Sequence, residues 1–124
     1  MIPNESQEQI WLIQWAQQPS VRHQYPELKL LYHVPNERQD KRQAAILKKM
    51  GVKRGVPDLC LPVARGKHHG LYIEMKRSSG GVVSDDQLWW KEQLLENGYA
   101  CVVCKGWEAG KEALLWYLNQ KAPA

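Results

Sequence analysis

The chain has 124 residues, enough for one domain with a modest core, and its net charge of +4 and pI of about 9.0 permit a polyanionic partner without requiring one. No apolar run approaches the roughly 20 residues of a membrane span, and the first residues lack the pattern of a secretory signal, so no membrane partner is expected. Three cysteines, an odd number, argue against a disulfide framework and predict a reducing cytoplasm.

The first predicted element is a helix that begins at Asn4 or Ser6, either of which can act as the N-cap, and ends near Gln18. Its first turn carries Glu5 and Glu8 on neighbouring stripes of the surface. Acidic side chains at this position are usually explained by the helix dipole, so on their own they do not indicate a functional site.

The middle of the chain is predicted as a loop over residues 20–27, a strand over Leu28–Val34 and a basic helix over Arg38–Met50 that Gly51 terminates. Two short apolar segments within residues 55–76 then predict a β-hairpin. Together with the elements that follow, this predicts a single domain over residues 1–124.

After the hairpin, Ser84 and Gln87 form a capping-box pattern that predicts a second long helix, which ends at Asn97. Residues 99–104 are nearly all apolar and predict a buried strand, and a last helix is predicted over residues 108–119. The element order is therefore α-β-α-β-β-α-β-α, an α/β fold in which helices flank a mixed β-sheet.

The hairpin contains the most informative spacing in the chain. If it is symmetric about Gly66, Asp58 lies opposite Glu74, with Cβ atoms about 4.5–5.5 Å apart. Two carboxylates that close repel each other unless a cation or a proton lies between them, and Lys76 shares their face. The pattern indicates a site for Mg²⁺ or Mn²⁺. The alternative is charge pairing on an exposed hairpin, worth about 0.2–1 kcal/mol.

Basic residues surround this hairpin. A run of charge is usually a solvated face, but these cations lie close to the carboxylates in sequence, which favours contact with phosphates. The candidates for DNA binding are Lys53, Arg54, Arg38, Lys41 and Arg77.

Other residues have plainer interpretations. The spacing of Cys101 and Cys104 resembles half of a zinc site, but no second pair exists and buried cysteines are the better interpretation. His33 is interpreted as a structural side chain and Gln87 as a helix cap. The six tryptophans are expected mainly to fill the core, in a chain that has no phenylalanine, with stacking of one or two of them on bases as the alternative.

Taken together, these residues resemble the VRR-NUC domain, a branch of the PD-(D/E)xK nuclease superfamily. The superfamily signature appears as Pro57-Asp58 followed by Glu74-Met75-Lys76. The resemblance covers nearly the whole chain and includes Glu5-Ser6-x-x-Gln9, Val34-Pro35-Asn36, Lys49-Met50-Gly51-Val52-x-x-Gly55-Val56-Pro57-Asp58, Ser84-x-x-Gln87-x-x-Trp90 and Gly98-Tyr99.

The resemblance implies a restriction-endonuclease-like core and hydrolysis of phosphodiesters that depends on Mg²⁺ or Mn²⁺. It implies that Asp58 and Glu74 bind the metal and that the Met75 backbone carbonyl completes the protein ligands. Glu5 matches the family's glutamate on the first helix, and Glu8 is the competing assignment. Either one or two metal ions are compatible with these ligands.

The resemblance also implies that Lys76 orients or activates the attacking water, and that Gln87 supports the site from the following helix. Asp85 departs from the family pattern, which commonly has proline there, but both residues suit the first turn of a helix.

The small size is similar to that of standalone phage and bacterial members, which are similar to Holliday-junction resolvases and are thought to act as dimers. A homodimer that cuts branched or four-way DNA during repair is therefore expected, in the cytoplasm of a bacterium or of a phage-infected host cell. The alternative is a DNA-binding module that kept the fold without catalysis, which would bind DNA but neither bind metal nor cleave.

Overall fold

The computed structural model describes residues 1–35 and 41–123. These form α1 (Glu5–Ala16), α2 (Pro19–Gln24), a 3₁₀ helix (Pro26–Leu30), β1 (Tyr32–His33), α3 (Lys41–Lys49), β2 (Leu59–Leu61), β3 (Leu71–Lys76), α4 (Asp85–Glu96), β4 (Ala100–Lys105) and α5 (Trp107–Leu118). In that part of the chain no helix combines the length and the apolarity needed to cross a membrane.

The sheet is mixed, as the sequence predicts. Within the described residues its strands lie in the order β1-β2-β3-β4. The pairs β1–β2 and β2–β3 are antiparallel, whereas β3 and β4 are parallel and are joined by α4 as a crossover helix. In the hairpin Leu59 pairs with Ile73 and Leu61 with Leu71, which is the register predicted from symmetry about Gly66.

One face of the sheet is buried beneath α1 and α5. This core comprises Leu12, Trp15, Ala16, Leu28, Leu59, Leu61, Val63, Leu71, Ile73, Met75, Ala100, Cys104, Leu114, Tyr117 and Leu118. The two helices approach closely where Leu12 lies over Gly110, since a Cβ at residue 110 would lie only 2.7 Å from Leu12 Cδ2. The other face of the sheet carries Glu74 and Lys76, because successive strand residues point to opposite sides.

Two predictions between α1 and β1 are wrong. The predicted loop over residues 20–27 contains α2, and the predicted strand over Leu28–Val34 is reduced to Tyr32–His33, with a 3₁₀ helix before it. Pro19 and Pro26 lie in the first turns of these two helices. At such positions the fixed φ of proline suits the helix and its missing N–H removes no hydrogen bond, so each proline starts an element.

The tryptophans fill the core less than expected. Trp15 is buried, but Trp11 is 37% exposed, Trp116 53% and Trp89 54%. Much of the tryptophan surface therefore faces outward on α1, α4 and α5.

The three cysteines are buried and unpaired, as the sequence predicts. Cys101 and Cys104 are three residues apart on β4, so their side chains point to opposite faces of the sheet. That separation is incompatible with a shared zinc ion.

Candidate active site

The open end of the hairpin brings Asp58 and Glu74 together. Extending the β2–β3 register by one residue places them opposite each other. The Asp58 carboxylate accepts a hydrogen bond from the Met75 backbone N–H at 2.7 Å. Since the N–H and C=O of one strand residue point to the same neighbour, the Met75 carbonyl also faces Asp58. Two carboxylates and one main-chain carbonyl therefore converge here.

Glu74 and Lys76 are buried, with relative exposures of 4% and 5%. Glu74 Oε2 accepts a hydrogen bond from Gln87 Nε2 at 2.9 Å and lies 3.6 Å from Lys76 Nζ. Charged side chains are rarely buried without such partners. This burial contradicts the alternative of an exposed hairpin with charge pairing on its surface.

The environment of Glu74 favours its protonated form. Burial, then the charge of Asp58 and a hydrogen bond with it, raise the pKa of Glu74 to about 8. The charge of Lys76 lowers this pKa, and the charge of Glu5 adds a smaller increase. In the metal-free protein the two facing carboxyls thus hold a proton between them at neutral pH, at the place where a cation would otherwise balance their charge.

This pKa predicts how the stability of the metal-free protein depends on pH. The pKa of Glu74 is above its ordinary value of 4.5, so the folded state binds this proton more tightly than the unfolded chain, and the resulting stability is lost progressively as the pH rises from about 4.5 to about 8. Between about pH 5 and pH 9, we expect the melting temperature in EDTA to fall more for the wild type than for Glu74→Gln, whose amide cannot ionise. Calorimetry measures both slopes, and parallel slopes would contradict the expectation.

Gln87 uses both ends of its side-chain amide. Its Oε1 accepts from the Ser84 backbone N–H at 3.0 Å, and Ser84 Oγ accepts from the Gln87 backbone N–H at 3.2 Å, which completes the predicted capping box of α4. The amide nitrogen is then left to donate to Glu74. The helix cap and the contact with the site, which the sequence presents as alternative roles, are one arrangement.

Glu5 and Glu8 differ in the groups that they contact. Glu8 is 4% exposed, and its Oε1 accepts from the Trp107 backbone N–H at 3.0 Å. The N-cap of α5 is Gly106, which has no side chain to do this, so Glu8 supplies the cap from another helix. Glu5 instead lines a cavity of about 310 Å³ together with Asp58. The geometry favours Glu5 over Glu8 as the glutamate of the site.

His33, interpreted from the sequence as structural, lies in this same cavity. Its Nδ1 is 3.0 Å from the Asp58 carbonyl oxygen and 3.0 Å from Gln9 Nε2. When Nδ1 carries the proton it donates to this carbonyl and holds the backbone of Asp58. Only the pairing of β1 with β2 brings His33 here, and the sequence offered no signal for that pairing.

The predicted basic residues occupy different places. Lys53 and Arg54 are exposed and line a cavity where α3 ends. Arg77 is exposed and lines a cavity of about 440 Å³ that also includes Glu5. Lys41 is exposed at the start of α3, and Arg38 lies outside the described residues.

The donors that converge at the hairpin fit a hard divalent cation. In the described ranges, no three His, Cys, Asp or Glu side chains are close enough to enclose an ion by themselves. Mg²⁺ does not need such a cage, because it keeps several waters and binds through one or two carboxylates. Asp58 and Glu74 with the Met75 carbonyl offer only oxygen, the donor that Mg²⁺ and Mn²⁺ favour.

Comparison with known proteins gives one family. The family model of the VRR-NUC domain matches residues 3–108. A solved structure described as a VRR_NUC domain protein superposes with a TM-score of 0.81 at 31% sequence identity, covering 98% of this chain and 93% of that chain. A search of curated proteins found no match. The likeness includes α1, the hairpin and α4, which are the three elements that build the site.

Proposed function

The chain belongs to the VRR-NUC family, whose domain is a nuclease that acts on DNA, and on this premise we propose that it is a Mg²⁺- or Mn²⁺-dependent endonuclease that cuts branched DNA. The observation that carries the proposal is the burial of Glu74 and Lys76 beside the half-buried Asp58 at the open end of the hairpin. A protein with no chemistry to perform there gains little from burying an ammonium beside a carboxylate, because the cost of desolvating the two charges offsets their attraction.

The residues of the cluster have separate roles in the proposed reaction. Asp58, Glu74 and the Met75 carbonyl would hold the metal, and Glu5 adds negative charge on the α1 side. When bound, the ion would supply Lewis acidity and lower the pKa of a water. Lys76 is placed to orient the attacking water and to stabilise the charge that develops on the phosphate. Gln87 fixes the orientation of the Glu74 carboxylate through its hydrogen bond.

The position of Lys76 depends on a glycine that the sequence did not single out. A Cβ at residue 81 would lie 2.9 Å from Lys76 Cβ, closer than real Cβ contacts. We therefore expect Gly81→Ala to displace the Lys76 stem and to lower the cleavage rate about 10- to 100-fold. Mn²⁺ affinity measured by calorimetry is expected to stay near the wild-type value. The melting temperature of Gly81→Ala in EDTA, compared with that of the wild type, separates displacement of Lys76 from a general loss of stability.

We propose that two copies act together on a four-way junction, because a two-fold dimer presents two equivalent sites to two equivalent strands. The outer face of α4 supports assembly, since Leu88, Trp89 and Leu95 are about half exposed there and exposed apolar patches mark interaction sites. Light scattering with and without junction DNA tests this, comparing the wild type with Trp89→Glu. A wild-type monomer under both conditions would contradict it.

We propose a cytoplasmic location, which three buried, unpaired cysteines support. We also propose a bacterium or a phage-infected cell as the host, and DNA repair as the task of the enzyme.

The experiment that tests the proposed activity is incubation with four-way, flap and linear DNA in Mg²⁺ or Mn²⁺, with the products mapped to the nucleotide. Cuts at symmetric positions on two strands of the four-way junction are the expected result. Salt-sensitive binding to DNA without any cleavage, together with no heat of Mn²⁺ binding, would instead support the non-catalytic DNA-binding module.

A further inference from the structure

A basic cleft forms where α3 ends, and we define it by the side chains of Lys48, Lys53 and Arg54. It encloses about 320 Å³, and Val52 is the other described residue that lines it. Three of these four described lining residues are cationic and none is acidic. The cleft therefore concentrates positive charge in a concave place.

The cleft forms because the chain reverses direction at the end of α3. The Val52 N–H donates to the Leu47 carbonyl at 2.9 Å, and the Gly51 N–H donates to the Lys48 carbonyl at 3.0 Å. With Gly51 at a φ of +102°, these bonds form a Schellman motif. The reversal brings Lys53 and Arg54 back beside Lys48. The helix dipole accounts for a lysine in the last turn of α3, but it does not account for the two cations that follow the helix.

The cleft is attached to the helix that supports the active site. Trp90 Nε1–H donates to the Arg54 carbonyl at 3.1 Å. Next to it, Gly55 lies so close to α4 that a Cβ there would be 2.6 Å from the Asp86 carbonyl carbon. Asp86 directly precedes Gln87, whose amide contacts Glu74. The residues that lead into the cleft and the Glu74 carboxylate thus contact neighbouring turns of α4.

The separation along the chain limits how far the cleft lies from the active site. Arg54 and Asp58 are four residues apart, which is at most about 14 Å of extended chain. A DNA strand carries one phosphate per roughly 3.4 Å of helix axis, so this distance corresponds to a few nucleotides. Three cations around a concave place favour a phosphate, because they balance its negative charge.

We propose that the basic cleft binds a phosphate of the DNA backbone a few nucleotides from the phosphate that is cut. This rests on the proposed function and adds to it the point at which the substrate strand is held. Such a contact fixes the position of the strand without reading its sequence. The cleft thereby sets where along a strand the cut falls, relative to the first point of contact.

The test compares Lys53→Ala/Arg54→Ala with Lys67→Ala/Lys121→Ala, both in a Lys76→Met background so that the DNA stays intact. Lys67 and Lys121 are exposed near the hairpin turn, at the far end of the sheet. Each double substitution removes two positive charges. Trp90 donates its hydrogen bond to the main-chain carbonyl of Arg54, so Lys53→Ala/Arg54→Ala retains that bond.

Fluorescence anisotropy with a labelled four-way junction gives the affinity at several salt concentrations. We expect the slope of log K against log salt to become shallower by about 0.9 in the cleft variant, because one phosphate contact is lost, and to stay unchanged in the control. Equal slopes in the two variants overturn the proposal while leaving the nuclease function intact. If neither double variant nor the Lys76→Met parent binds DNA, both the proposed function and the proposed role of the cleft are overturned.

A second measurement locates the phosphate. Single neutral methylphosphonates are placed along one strand around the mapped cut. A methylphosphonate at one position a few nucleotides from the cut is expected to weaken DNA binding by the parent protein. The same methylphosphonate is expected to leave DNA binding by the cleft variant unchanged. If no position behaves in this way, the cleft does not hold the strand. A different outcome is that inorganic phosphate binds the parent protein saturably while the cleft variant keeps the DNA affinity of its parent. That outcome would assign the cleft to a small phosphate compound and overturn the DNA assignment.

Discussion

Lys76→Met is expected to lower the single-turnover rate of DNA cleavage by about 10²–10⁴-fold, the usual contribution of a positioned group that handles charge or protons. Methionine keeps most of the buried stem and removes the ammonium, which lies 3.6 Å from Glu74 in the wild type. The fold is expected to persist, because the stem still packs against the loop at Gly81.

The same substitution also affects the metal, so the assay must separate the two effects. Lys76 lowers the pKa of Glu74, and without it the carboxyl holds its proton more tightly. The rate is therefore measured at saturating Mn²⁺ and at several pH values. Lys67→Met, in the turn at the other end of the hairpin, is the matched control. A Lys76→Met rate equal to that of the control at saturating Mn²⁺ would exclude Lys76 from catalysis.

Asp58→Asn is expected to abolish measurable Mn²⁺ binding and, with it, cleavage. The substitution removes one of two carboxylates but keeps an oxygen that can accept the hydrogen bond from the Met75 N–H. In the metal-free protein it also removes the charge of Asp58, which raises the pKa of Glu74. We therefore expect the melting temperature in EDTA at pH 8 to be equal to or higher than that of the wild type.

This pair of results distinguishes a metal ligand from a structural residue. Calorimetric titration with Mn²⁺ gives the affinity, and a melt in EDTA gives the stability of the same samples. A structural aspartate would lose both stability and activity on substitution, whereas a ligand loses metal binding while the metal-free fold is kept. Asp85→Asn, which changes an exposed acid in the first turn of α4, controls for the general loss of one negative charge.

The hairpin could be predicted from the sequence because its register follows from local chemistry. A short turn centred on Gly66 between two apolar segments leaves one symmetric pairing, and that pairing places Asp58 opposite Glu74. The cap at Ser84 was equally local, since both of its hydrogen bonds lie within four residues.

The parts that could not be predicted depend on contacts between distant residues. Glu5 and Glu8 look alike in the sequence, and only the docking of α1 against α5 decides that Glu8 meets the Trp107 N–H, 99 residues away. His33 lies within the longer strand predicted over Leu28–Val34, but the pairing with β2 that brings it into the site joins residues far apart in the chain. Pro19 and Pro26 do not by themselves predict the helices that they begin, because proline both stops and starts helices. The outcome depends on whether residues such as Leu28 find a place in the core.

The bond between Glu8 and Trp107 links the first helix to the last, and this has a consequence during synthesis. Glu5 is carried on α1, and α1 is held in place by α5, through Glu8 at one end and Leu12 over Gly110 further along. A growing chain that has already made the hairpin and α4 still lacks the part of the α1 contact surface that α5 supplies. We therefore expect Glu5 to reach its final position only after residues 107–118 have folded, so that the last helix to be made completes the set of acidic groups.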